Sequence, residues 1–167
     1  MTEKVPFENE PLKISISRGV LVDSSRNGRD IPYKLYMPSD GLDRKPLIIW
    51  SHGLGGGRDG AGFIGRFIAE QDFAVLHIQH RGTDTSLWEG QAGHPWDIIR
   101  RTEIPRSASL DRFLDVPFVL DNLQDIDGHE KFDLNNIGMS GHSFGALTTQ
   151  VMAGQYFPDE NDVLKQM

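Results

Sequence analysis

Apolar and polar residues alternate twice near the start of the chain. Over residues 12–23 Ile14, Ile16 and the run Val20-Leu21-Val22 stand with polar residues between them, and over residues 31–37 Tyr33, Leu35 and Met37 alternate with Pro32, Lys34 and Tyr36. A period of two predicts strands, and the Asn27-Gly28 pair between them predicts an antiparallel hairpin. The pattern then changes. Residues 46–50 form a short continuous apolar run, as expected for a strand buried on both faces. A glycine-rich stretch follows, and then Phe63, Ile64, Phe67 and Ile68 recur at helical spacing over residues 63–70. Residues 73–78 repeat the buried-strand signature, so two strands flank a helix in the manner of a right-handed parallel crossover.

The second half reads less evenly. Residues 79–107 are polar and show no clear period, and loops of that length in a compact domain are usually functional or mobile. Apolar residues return at Leu110, Phe113, Leu114, Phe118, Val119 and Leu120, a helix pattern interrupted by Pro117, where a kink or a helix start is expected. Residues 137–139 supply another short strand. A helix-compatible stretch over residues 146–153, closed by Gly154, ends the series. Strand, helix and strand thus alternate after an opening hairpin, which is the order of an α/β fold.

Composition narrows the class. The chain has 167 residues, 38% hydrophobic and 25% charged, which suits one soluble domain. Its net charge of −7 argues against nucleic acid as a partner, because phosphate affinity depends on clustered Lys and Arg. The densest basic stretch, Arg100, Arg101 and Arg106, is diluted by Asp97, Glu103 and Asp111. With no cysteine there is no disulfide, no thiolate zinc site and no cysteine nucleophile. Residues 1–10 lack an apolar run of signal-peptide length and no stretch is long enough to span a bilayer, so a cytoplasmic location without a membrane span is expected.

The segment Gly141-His142-Ser143-Phe144-Gly145 carries the chemistry. Gly-x-Ser-x-Gly between a strand and a helix mounts a serine on a sharp turn, with near-side-chain-free positions two before and two after so that strand and helix can pass closely. The helix N-terminus then points amides at a developing oxyanion. A second glycine-rich segment, Ser51-His52-Gly53-Leu54-Gly55-Gly56-Gly57, follows the first buried strand, where a serine hydrolase places the other half of its oxyanion hole. The expected site is therefore Ser143 as nucleophile, with the backbone N–H groups of Leu54 and Phe144 as the oxyanion donors. A rival pattern overlaps it. Residues 55–60 formally match Gly-x-Gly-x-x-Gly, a dinucleotide fingerprint. That reading wants an acidic residue after the next strand, where Gln79-His80-Arg81 stands, and it leaves Ser143 unexplained.

On these residues the chain resembles the N-terminal portion of an α/β-hydrolase, in particular the platelet-activating-factor acetylhydrolase and predicted dienelactone hydrolase-like branch. The likeness lies in residues 52–56, in residues 141–145, and in residues 112–123 as the helix leading into the nucleophile strand. It covers roughly residues 12–155 of a single partial domain spanning 1–167. What it implies is a truncated α/β-hydrolase fold: an antiparallel hairpin, then parallel strands with flanking helices. The activity implied is hydrolysis of a small-molecule carboxylic ester, commonly with a short acyl group, through an acyl-serine and without cofactor or metal. Family members carry their catalytic Asp and His after positions where this sequence ends. The chain alone is accordingly expected to be nearly inactive, with the outer edge of its nucleophile strand open to self-association.

The residues present are not matched to those partners. His52 and His142 lie within the two motifs, where the resemblance implies structural duties, His77 falls in a buried strand, and His129 precedes the nucleophile strand. His80 and His94 sit in the long polar stretch as conceivable neighbours of the pocket. Asp127 and Asp133 read as turn residues, and Asp159 and Asp162 as solvated. Trp88, Trp96 and Phe144 are candidates for an apolar pocket wall. Two alternatives stand beside the esterase: a non-catalytic hydrolase-like binding module, and another activity of the fold such as a dienelactone hydrolase or serine peptidase.

Overall fold

In a computed structural model of the protein, residues 13–39 and 43–157 are described. Residues 1–12 at the start of the sequence, and Asp159 and Asp162, lie outside them. The alternating segments form the expected hairpin, β1 (Ile14–Asp23) and β2 (Arg29–Pro38), paired antiparallel along their whole length. The turn between them is made by a short 3-10 segment, Ser24–Arg26, and by Asn27 and Gly28, both at positive φ. Asp23 locks it, accepting from the Ser25 amide and from Arg26 Nε.

The continuous apolar runs become β3 (Lys45–Ser51) and β4 (Ala74–Ile78), which pair in parallel with α1 (Gly62–Ala69) between them in sequence. The last strand, β5 (Phe132–Gly141), pairs in parallel with the other side of β3. It starts earlier than residue 137. Its first residues make a bulge, and there Asp133 accepts from the Asn135 amide and the Asn136 side chain, a local turn that the apolar pattern cannot register. The sheet order is β1-β2-β4-β3-β5, so the hairpin meets the parallel strands through an antiparallel β2–β4 pair.

Strand alternation sorts side chains to two faces. Leu35, Leu47, Ile49, Leu76 and Ile78 pack with Val116 and Val119 of α3 (Arg106–Asp121) in the larger core. Tyr36, Trp50 and Val75 pack with Ala69, Ile64 and Ile68 of α1 on the other. Helix α4 (Phe144–Met152) contacts β3, β5 and α3.

Two expectations are corrected. The polar stretch holds a helix, α2 (Pro95–Arg101), with His94 Nδ1 accepting from the Trp96 amide at its start. Seven residues make barely two turns, too few for a period to stand out. Helix α3 also does not start at Pro117 but runs through it, beginning after Pro105. Pro117 is exposed, and its ring leaves the Phe113 carbonyl without its usual intrahelical donor.

Among the described residues no helix is long and apolar enough to cross a membrane. No described strand pairs with the outer side of β5, and Leu134 and Ile137 are exposed there. An unpaired edge of this kind is a template for another strand. Self-association is expected to appear as a sedimentation coefficient that rises with concentration, and Ile137→Lys to suppress the rise. A coefficient independent of concentration would count against it.

Candidate active site

Ser143 stands between β5 and α4 at φ 55° and ψ −115°, a conformation that residues other than glycine rarely adopt. The turn is held because its neighbours leave no room for another path. A side chain at Gly145 would run into the Ser51 carbonyl, and one at Gly141 would come within 2.5 Å of the Gly145 carbonyl. Such strain persists only where the surroundings over-determine it, and strained residues cluster at functional sites. Ser143 itself is exposed.

The glycine segment after β3 meets the elbow directly. A Cβ at Gly53 would lie 3.0 Å from His142 Nδ1 and 3.4 Å from Ser143 Cβ, so glycine lets the two segments approach closely without displacing a neighbour. Most amides around this junction are spoken for: Gly55 N–H donates to the Thr83 carbonyl at 2.9 Å, Gly56 to Gly53 at 3.0 Å, Gly145 to His142 at 2.8 Å and Ala146 to Ser143 at 2.9 Å. Among the described residues the Leu54 and Phe144 amides donate to no protein acceptor. Ser143 and Leu54 open into one pocket of about 840 Å³, with apolar walls from α1, α2 and Trp88. Trp88 and Trp96 line it, whereas Phe144 turns its ring toward Arg112 and Phe113 instead.

Beneath the junction lies a buried polar network that periodicity could not reveal. Arg112 is wholly buried, and its guanidinium donates to Thr148 Oγ1 at 2.8 Å, Thr83 Oγ1 at 3.0 Å, Ser51 Oγ at 2.8 Å and the His52 carbonyl. It also lies 4.5 Å from the centre of the Phe144 ring. One cation therefore ties β3 and the residue before Gly53 to the first turns of α4. Burial pulls Arg112 down to about 9, which leaves it charged near neutral pH.

Beside it, His80 Nε2 is 2.9 Å from Ser51 Oγ and His80 Nδ1 is 3.0 Å from Asp115 Oδ2. Serine, histidine and carboxylate in that order have the bonding pattern of a catalytic triad. All three are buried to 1% exposure or less, and the Ser51 oxygen is already held by Arg112, so no substrate carbonyl reaches it. The trio is structural. Burial alone would raise the Asp115 carboxyl, but hydrogen bonds from Arg29 and His80 outweigh it and hold the group below the usual carboxylate range. Burial pushes His80 down to about 4 and His52 down to about 2. His52 Nε2 accepts from the His80 amide at 3.0 Å, so its Nδ1 carries the proton and donates to the Gly53 carbonyl.

The six histidines are thereby placed. His52 and His80 belong to the network, His77 packs between Tyr36 and Trp50, His94 caps α2, and His129 lies beside the Ile126 carbonyl. His142 lines the pocket next to the serine. None hydrogen-bonds Ser143. Of the other sequence candidates, Asp133 closes its own turn.

The glycines of the dinucleotide fingerprint line the same pocket as Ser143, and its surroundings are engaged by protein side chains. Ile99 and Trp88 occupy the space over Gly55, Gln79 Oε1 takes the Arg58 amide at 3.3 Å, and Asp59 is paired with Lys34 and Arg18. Nor does any group of three His, Asp or Glu converge on a metal site among the described residues.

Neither a protein-family model nor a curated sequence matches the chain. Solved structures do. A ferulic acid esterase from Streptomyces cinnamoneus superimposes with a TM-score of 0.67 at 21% identity, over 87% of this chain and 57% of that one. An acetyl xylan esterase from Paenibacillus sp. R4 gives 0.56 at 22% identity, over 86% and 45%. An esterase from the archaeon Pyrobaculum calidifontis gives 0.57 at 22% identity, over 87% and 39%. At such identities the likeness is one of fold, and the chain spans at most about 57% of the length of these three neighbours. Hairpin, parallel strands, flanking helices and elbow together give this chain the α/β-hydrolase fold, over part of the length that its structural neighbours have.

Proposed function

We propose that the chain carries the nucleophile and oxyanion-binding half of a serine-dependent carboxylic ester hydrolase. The observation that carries this reading is a strained, exposed Ser143 facing an apolar pocket beside two unengaged amides. In the reaction, Ser143 Oγ adds to the ester carbonyl carbon and its proton passes to a general base. The carbonyl oxygen becomes an oxyanion held by the Leu54 and Phe144 amides. Collapse expels the alcohol, which takes up that proton, and leaves an acyl-serine that water then hydrolyses. The resemblance to platelet-activating-factor acetylhydrolases supports a short acyl group. Esterases among the structural neighbours support ester chemistry, beside a putative dipeptidyl aminopeptidase IV from Bacteroides ovatus of similar fold.

A binding module that keeps the pocket without turnover is the second reading. One experiment separates the two. An ethyl fluorophosphonate should phosphonylate Ser143, seen by mass spectrometry, about a thousand-fold faster than it does a serine-containing peptide. That is the acceleration an oxyanion site and binding alone provide. Ser143→Ala should abolish the adduct. Labelling no faster than the peptide would favour the binding module.

A further inference from the structure

The walls of the pocket hold no Lys, Arg, Asp or Glu among the described residues. All three tryptophans of the chain line it instead, together with Phe63, Ile64 and Ile99. Their placement is built rather than incidental. Trp88 is fixed by its Nε1–H donating to the Gly55 carbonyl at 2.7 Å, and Trp50 is buried and stacked on His77 at 5.7 Å. Trp96 and Phe63 are 59% and 75% exposed although they border a concavity, so a ligand seated between them covers apolar surface that water now touches.

We propose that this pocket selects an uncharged ester bearing an aromatic or branched alkyl group, seated against Trp88, Trp96 and Phe63 with its carbonyl toward Ser143. The proposal rests on the reading of Ser143 as the reactive end. Its volume, about 840 Å³, matches a small organic ligand. Charge decides the class. A carboxylate drawn into apolar walls loses its hydration and meets no cation there, and the −7 charge of the whole chain repels it on approach. Flat indole and phenyl faces are complementary to an aromatic ring or a methyl-bearing branch.

Two esters of nearly one shape provide the test: benzyl butyrate and monobenzyl succinate, which differ by a carboxylate in place of the terminal methyl. Titrations on Ser143→Ala at pH 8.5, where imidazoles are ordinarily neutral, avoid turnover. Because every tryptophan lines the pocket, intrinsic fluorescence reports binding there. Benzyl butyrate is expected to bind at least tenfold more tightly than monobenzyl succinate, and Trp96→Ala in the same background to weaken benzyl butyrate about fivefold. Equal affinities, a preference for the succinate, or no binding of either would overturn the assignment. Phosphonylation of Ser143 in the unsubstituted chain is read separately. A neutral preference without phosphonylation keeps the pocket and removes the catalytic reading, whereas phosphonylation without a neutral preference does the reverse.

Discussion

Acidification from pH 8 to pH 5 is expected to remove about 6 kcal/mol of folding stability, well before most carboxylates titrate. Three buried histidines cause it. Burial depresses His77 and His80 to about 4 and His52 to about 2, from 6.5 when unfolded. A depressed folded value means that the unfolded chain takes up these protons first. The stabilisation is complete above 6.5 and is lost as the pH falls toward each folded value. At pH 5 each unfolded histidine is almost fully protonated and each folded one almost fully neutral, so each costs about 2 kcal/mol. A domain's whole stability is of order 5–15 kcal/mol, so much of the margin goes in this window. Asp115, held low by Arg29 and His80, adds its loss only below the ordinary carboxylate range. Urea denaturation at several pH values reads the effect directly, as a slope of about three protons near pH 5. His77→Gln, which keeps a polar side chain where burial holds the ring neutral, should reduce the slope to about two. A stability flat from pH 7 to pH 5 would show that these rings are solvated.

The same residues mark where sequence reading stops. Wherever side chains obey a period, the elements are legible: Leu35 and Met37 face one core, Val75 and Trp50 the other, and the hairpin turns at Asn27-Gly28. The elbow and the glycine segment are legible too, because strained backbone demands particular residues locally. Gly53 against Ser143 is that demand observed from the other side. What escapes are contacts made across the fold by residues of unremarkable local pattern. Ser51, His80, Arg112 and Asp115 come from β3, the loop after β4, and α3, joined by hydrogen bonds that span up to 61 positions, and no spacing rule joins them. A polar residue on the inner stripe of α3 was the available signal. Arg112 and Asp115 are three apart, flanking Phe113 and Val116, and a helix that buries charges must find partners for them.

Those partners make Arg112 the position whose loss should be felt at both halves of the site. In Arg112→Met the aliphatic stem is kept while the guanidinium goes. Ser51 Oγ, Thr83 Oγ1, Thr148 Oγ1 and the His52 carbonyl then lose a donor inside a buried network. Asp115 would keep its Arg29 and Arg26 partners, so the damage falls on the neutral oxygens. Leaving a buried acceptor without its donor typically costs about 1–3 kcal/mol, and several are left here, which denaturation at neutral pH would read as a large fall in midpoint. Arg112→Lys should recover less than half of it, because a compact ammonium cannot fork to acceptors on β3, α4 and the loop after β4 at once. Stability alone would not reveal a positioning role. If the guanidinium also sets the distance between the residue before Gly53 and the first turn of α4, phosphonylation of Ser143 should slow at least tenfold in protein that is still fully folded. Arg112→Lys should then recover part of that rate. A destabilised but folded Arg112→Met that labels at the unsubstituted rate would restrict Arg112 to holding the core together.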